Sequence, residues 1–210
     1  MNLDSPTLRR PRPRAPKAEV RARILDAGRR IVAEGGYAAA QMTAVARRAG
    51  IATGTLYLYF PSKADLLAEV FRLAASHEVA VIAEFADGSD PALTRIGEAV
   101  RTFVRRAVRG RRLAYALIAE PVDPAVEAER IVFKRAYADI FAAILRDGIA
   151  GGELPPQNVD ISAACLIGAF TEALVGPLSP ETGPGRGETE QLADAIAEFC
   201  VRAVMGGQDR

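Results

Sequence analysis

A proline inside a helix removes a backbone donor and drives its ring into the preceding turn, so prolines mark where helices cannot run. In this chain the interval from Lys17 to Phe60 contains none, and later prolines fall at 61, 91, 121, 124, 155, 156, 177, 180 and 184. Beyond residue 61 the uninterrupted stretches run about 20–30 residues. Within them apolar residues recur at helical spacing, as in Val20, Ile24, Ala27 and Ile31, or Leu93, Ile96, Val100, Phe103 and Ala107, or Phe133, Tyr137, Ile140 and Ile144. Strict alternation, the mark of a half-buried strand, is nowhere sustained. The chain reads as all-α.

Helices are expected near 17–35, 43–49, 54–60, 62–87, 91–109, 111–120, 124–149, 158–177 and 187–206. Asp90-Pro91 and Asp123-Pro124 each set a capping carboxylate before a proline at the first helical position. Ser62, with Asp65 three residues on, forms a capping-box pattern. Met1 to Pro16 holds four prolines and four arginines and little that is apolar, so it reads as a disordered basic arm, residues 1–16.

The formal charge of +1 argues against a nucleic-acid partner, but only as an average. Residues 1–63 hold 12 Lys/Arg against 4 Asp/Glu, a net of +8, and residues 64–210 carry a net of −7. The chain is a basic head fused to an acidic body. Cys165 and Cys200 match no zinc spacing and, with one histidine, make no ligand set, so no metal or cofactor is expected. They read as small buried residues in a reducing, cytoplasmic setting. No apolar stretch of signal-peptide type follows the basic N-terminus. The most apolar run, Ile161 to Leu178, carries only Glu172, lacks flanking Lys or Arg and contains Gly168, Gly176 and Pro177. It reads as a buried helix, with no membrane partner.

The segment Thr43 to Lys63, TAVARRAGIATGTLYLYFPSK, carries the chemistry. Thr43 opens a short helix through Ala49, Gly50 supplies the turn, Ile51 plugs the angle, and Thr53 or Gly54 starts a second short helix ending near Phe60. Two short helices about a glycine turn make a helix-turn-helix, whose second helix offers residues to base edges in the major groove. Thr53 and Thr55 bring hydroxyls, Gly54 lets backbone approach DNA, and Tyr57 and Tyr59 combine flat faces with a hydroxyl. Lys63 adds a charge beside a helix start, where phosphate is favoured. Leu56 and Phe60, four apart, are assigned to the core.

The run T-x-V-A-x-x-A-G-I-x-x-G-T-L-Y-x-Y-F-x-S-K-x-D-L-L, preceded by R-x-x-I-L-D-A-G-x-x-I-V-A-E-G-G-Y from Arg21 to Tyr37, resembles the DNA-binding domain of the tetracycline-repressor (TetR) family over about residues 20–70. The resemblance implies a homodimer on a palindromic operator in double-stranded DNA, repressing until a small molecule binds the C-terminal domain. It implies phosphate contacts at Thr43 and Lys63, base or backbone contacts at Thr53, Gly54 and Thr55, and the same at Tyr57 and Tyr59. Leu58 departs from the pattern, standing where many relatives carry a polar residue such as His; the departure removes a contact and leaves the operator sequence open. Arg47 and Arg48 are solvated charges or further phosphate contacts, and the basic arm is a source of general attraction or a minor-groove reader.

The expected organisation is an arm (1–16), a three-helix helix-turn-helix domain (17–63) and a helical effector-binding and dimerisation domain (64–210), about nine helices in all. For subunit pairing the last two long helices stand out. One carries Ala164, Gly168 and Ala169 among other small residues, and the other carries Leu192, Ile196 and Phe199. Candidate cavity residues for the unidentified effector are Phe103, Tyr115 and the stripe Phe133, Tyr137 and Phe141, which is also the pattern of plain core. His77 reads as solvated or internally satisfied. Arg101, Arg105, Arg109 and Arg112 share a face, either paired with acids such as Glu127 and Glu129 or open to an anionic effector. An enzyme is not expected: no glycine-rich nucleotide loop is present, and one histidine must serve any triad. A DNA-binding protein without an effector remains the competing reading, and an enclosed cavity in the body is what separates the two.

Overall fold

A computed structural model describes residues 16–181 and 188–206. The expected basic arm therefore lies outside the described residues, Pro16 excepted. Among the described residues there are nine helices and no strand. In chain order they are α1 (Lys17–Ala39), α2 (Met42–Ala49), α3 (Thr53–Tyr57), α4 (Lys63–Ala83), α5 (Ala92–Arg109), α6 (Arg111–Ile118), α7 (Pro124–Ala150), α8 (Val159–Leu178) and α9 (Glu188–Val204).

Two hydrophobic cores organise them. The head core gathers Ile24, Ile31 and Val32 of α1, Val45 and Ala46 of α2, Leu56, Phe60, and Leu66, Val70 and Phe71 of α4. The body core runs from Ile82 through Ile96, Val100 and Val104 of α5, Phe141 and Leu145 of α7, Phe170 and Leu174 of α8, to Ala197 and Cys200 of α9. Its centre is aromatic, with Phe170 between Phe141 and Phe103 at centroid distances of 5.7 and 4.7 Å. Such tilted ring contacts add about 0.5–1.5 kcal/mol beyond burial. The expected boundary at residue 63 coincides with the start of α4, yet the head's packing continues along that helix to Ala75. Helix α7 also serves both cores, giving Val126 and Phe133 to the head and Tyr137, Ile140 and Phe141 to the body.

Local side chains cap α4 and α7 as expected, while α5 draws its cap from elsewhere. Ser62 Oγ accepts from Asp65 N at 3.1 Å while Asp65 Oδ2 accepts from Ser62 N, the reciprocal box expected. Asp123 accepts from Ala125 N at 3.0 Å. Asp90 does not cap α5; the Ala92 N–H donates instead to Glu153 Oε2 at 2.6 Å, a partner 61 positions away. A cap supplied through tertiary packing has no local pattern. Gly50 takes a left-handed conformation (φ 67°) and closes α2.

The remaining junction lies where α1 kinks at Gly36 (φ 73°). There the Tyr37 N–H donates to Glu120 Oε2 at 2.8 Å, and Glu120 is ion-paired with Arg112 of α6. A side chain at Gly36 is disfavoured by its φ and would overlap both the Arg112 guanidinium and the Glu120 carboxylate. Gly36→Ala is expected to lower unfolding free energy by about 1–3 kcal/mol. Gly54→Ala, whose added methyl meets nothing within 4 Å, changes it by less than about 0.5 kcal/mol. Urea titration followed by circular dichroism measures both.

Candidate functional site

The turn between α2 and α3 presents its residues unevenly. Leu56 is fully buried and Phe60 is 3% exposed, so both belong to the core as expected. On the other side of the same turn Gly54, Tyr57 and Leu58 are exposed, with Tyr57 at 49% and Leu58 at 83%. These positions are spaced i, i+3, i+4, and Leu58 keeps helical dihedrals at the end of α3. The backbone at Gly54 opens onto free space. Thr53 and Thr55 flank this face half-exposed.

Tyr59 is placed otherwise than expected. It is half-buried and packs against the head core, which leaves Tyr57 as the projecting tyrosine. Thr43 does not cap α2: the helix begins at Met42 behind Gln41, whose side chain makes no cap. Thr43 is exposed in the first turn, where backbone N–H groups lack helical partners. Lys63 opens α4, half-exposed and without an ion pair to the described residues. Arg47 is exposed, whereas Arg48 Nη1 sits 2.6 Å from Glu34 Oε1 and holds that carboxyl below its ordinary range by hydrogen bonding. Leu58, singled out in the sequence as a departure at a contact position, projects furthest from this face.

Behind the head, where the two cores meet, lies a cavity of about 570 Å³. Residues of α4, α5, α6, α7 and α8 wall it, joined by Arg29 of α1. Of the expected lining, Phe103, Phe133 and Tyr137 contribute. Phe141 does not, being fully buried against Phe170. Nor does Tyr115, which packs against the body core with the Arg112 guanidinium 6.0 Å from its ring centroid. The stripe Phe133, Tyr137, Phe141 turns about the helix axis, so its third member looks away from the space that the first two face.

The wall is mostly apolar, including Leu73, Leu113, Leu117, Ile118, Ile167 and Val175. Polar groups are interspersed with it, the acids Glu78 and Glu172 among them. Arg106 is held by Glu78 at 2.6 Å, and Arg130 by Glu127 and by the carbonyls of Leu117 and Glu120 at 2.8 and 2.9 Å. His77 and Lys134 line the space without an ion pair among the described residues. The histidine borders the cavity and is exposed, in line with the solvated reading. Burial pushes the Tyr137 phenol far above its usual range, with Glu78 adding to the effect, so it stays protonated and able to donate.

The arginine face of α5 and α6 is largely neutralised, though not by the acids anticipated. Arg101 pairs with Asp194 at 2.7 Å, Arg105 with Glu190 at 2.7 Å, and Arg112 with Glu120. Glu127 and Glu129 are taken by Arg130 and Arg72. The partners of Arg101 and Arg105 come from α9, remote in sequence and adjacent in space. Burial pushes the Cys200 thiol up to about 11, in keeping with an inert buried residue, while Cys165 is exposed rather than buried.

Helices α8 and α9 divide into two faces. Ala163, Leu166, Ile167, Phe170 and Leu174, with Ala193, Ile196, Ala197 and Cys200, pack inward. Ile161, Ala164, Cys165, Gly168 and Phe199 are exposed, Phe199 at 55%. Ile196, named for subunit pairing, is 7% exposed and belongs to its own subunit's core. Leu192 and Ala169 are also packed on that core, partly buried. The apolar stripe of α9 thus serves the body, and its pairing candidates reduce to the opposite face.

Comparison with known proteins bears on both regions. Residues 24–70 match the family model of bacterial regulatory proteins, tetR family. The HTH-type transcriptional repressor KstR of Mycolicibacterium smegmatis is 63% identical over 49 residues, a match spanning 23% of this chain and 24% of that repressor's length. The HTH-type transcriptional regulator UidR of Escherichia coli K12 is 28% identical over 189 residues, covering 89% of this chain and 91% of UidR. Among solved structures, the transcriptional regulator FadR of Bacillus subtilis in complex with stearoyl-CoA superposes with a TM-score of 0.74 at 22% identity, covering 87% of this chain and 98% of that one.

Proposed function

We propose that this chain, which belongs to the tetR family of bacterial regulatory proteins, is a cytoplasmic DNA-binding transcriptional repressor released from its operator by a small molecule. The observation that carries the reading is the coexistence of an outward-facing recognition turn with an apolar cavity at the joint between the cores. Thr43, Thr53, Gly54, Thr55, Tyr57 and Lys63 form the DNA-facing set, with Tyr59 as a supporting residue at its edge. The head's net of +8 attracts phosphate while the body's −7 is repelled by it, which favours approach by the head. No enzymatic role is assigned.

The exposed stripe of Ile161, Ala164, Cys165, Gly168 and Phe199 supports pairing of two copies through α8 and α9. Small residues let helices approach closely, and a two-fold pair places two heads on a palindromic site. The effector reading rests on the cavity, whose volume falls in the range of small-molecule sites. A mostly apolar wall bordered by Lys134 and His77 suits an amphipathic molecule with an anionic end. The stearoyl-CoA carried by the FadR structure is a ligand of that description. Coupling runs through α6. Its Leu113, Leu117 and Ile118 face the cavity, and its Arg112, with Glu120, holds the end of α1. A ligand that displaces α6 thereby moves the head, and the spacing of two heads changes.

Operator duplexes selected from a randomised library by the purified protein provide the assay. Tyr57→Ala combined with Thr55→Ala reduces affinity for the selected duplex to that for random DNA, while the mass measured by sedimentation remains that of a dimer. Unchanged affinity refutes the DNA reading. Lys63→Ala weakens binding to all sequences alike and lowers the log–log salt slope by about one.

Stearoyl-CoA raises the melting temperature and releases the operator, because it binds the folded state at the cavity. Lys134→Glu weakens that release roughly fivefold without shifting the midpoint of the free protein. Release at unchanged ligand concentration overturns the placement of the anionic end.

A further inference from the structure

Leu58 is the most exposed of the large apolar side chains among the described residues, at 83%. Packing within the chain gives it no partner, in contrast with Leu56 and Phe60 on the opposite side of the turn. Other exposed apolar residues, Ile161 and Phe199, belong to the face assigned above to subunit pairing. Leu58 stands on the head, beside Tyr57 and above the backbone that Gly54 leaves open. Flanking it are the Thr53 and Thr55 hydroxyls. Leu58 is therefore the large aliphatic group on a face otherwise built of small side chains, hydroxyls, a ring and bare backbone.

A leucine has no hydrogen bond to give and no charge for phosphate, so its selectivity toward DNA comes from apolar contact alone. Base edges in the major groove offer one apolar group, the C5-methyl of thymine, and the minor groove offers none. We propose that Leu58 is a base-reading residue that takes up a thymine C5-methyl, discriminating thymine from cytosine at one position of each half-site. The proposal rests on the DNA-binding reading and goes beyond it. The departure from the family pattern at this position then replaces a polar contact with an apolar one. It also leaves a mark in the operator, a thymine whose methyl matters.

The test uses the full chain and duplexes that it enriches from a randomised library. Each thymine of the enriched duplex is replaced singly by deoxyuridine, which removes the methyl and keeps the hydrogen-bonding pattern. At one thymine per half-site the affinity of the unaltered protein falls about fourfold, the equilibrium factor for one buried methyl. Leu58→Ala binds the thymine and deoxyuridine duplexes equally at that position. Its thermal midpoint matches that of the unaltered protein, because an exposed side chain contributes little to stability. Indifference of the unaltered protein to every replacement overturns the proposal, and so does a full penalty retained in Leu58→Ala, which assigns the methyl to another residue. If no sequence is enriched at all, the DNA-binding reading itself fails.

Discussion

The contact between the end of α1 and the α6 region holds the two halves of this molecule in one arrangement. Glu120 accepts the Tyr37 N–H and pairs with Arg112, and the positive φ of Gly36 allows α1 to bend into that acceptor without a side chain in the way. Arg130 of α7 grips the carbonyls at the end of α6 from the other side. These groups are partly buried, where a charge-assisted hydrogen bond is worth more than at the surface. Besides this junction, α4 and α7 each run from one core into the other.

A short helix held at both flanks, with an apolar side against a cavity, is a mechanical element. Helix α6 has eight residues, of which Leu113, Ala114, Leu117 and Ile118 line the space. Cavity and junction are two sides of one turn of backbone. Under the proposed function, a ligand filling the space would act on the same helix that contacts the head.

Charge follows a different logic in each half. In the body, arginines of α5 find acids on α4 and α9, and such exposed pairs contribute modestly, about 0–1 kcal/mol each. They fix register between helices more than they stabilise the fold. In the head, Arg47 and Lys63 form no ion pair among the described residues, whereas Arg48 is held by Glu34. The direction of the chain comes from its net charges, +8 over residues 1–63 and −7 over the rest.

Helix positions were legible in the sequence because they depend on short-range causes. Proline placement, period and capping residues act within a few positions, and all nine helices occur in the expected order. The split between core and outward residues on the recognition turn was also local, since Leu56 and Phe60 sit four apart. Partnerships were not legible. Glu153 capping α5, Asp194 and Glu190 on the arginine face, and Glu120 on Tyr37 join residues 61 to 93 positions apart. The direction in which Phe141 and Ile196 face was likewise settled by which neighbour lies across each helix. Periodicity says that a stripe is buried but not whether it meets a core, a cavity or a second subunit. By itself the sequence determined the helices, the basic head and the identity of its turn, because these arise from local backbone and side-chain chemistry. Only the tertiary structure decided where the cavity opens and which charges remain free, because both are properties of distant segments brought within contact range.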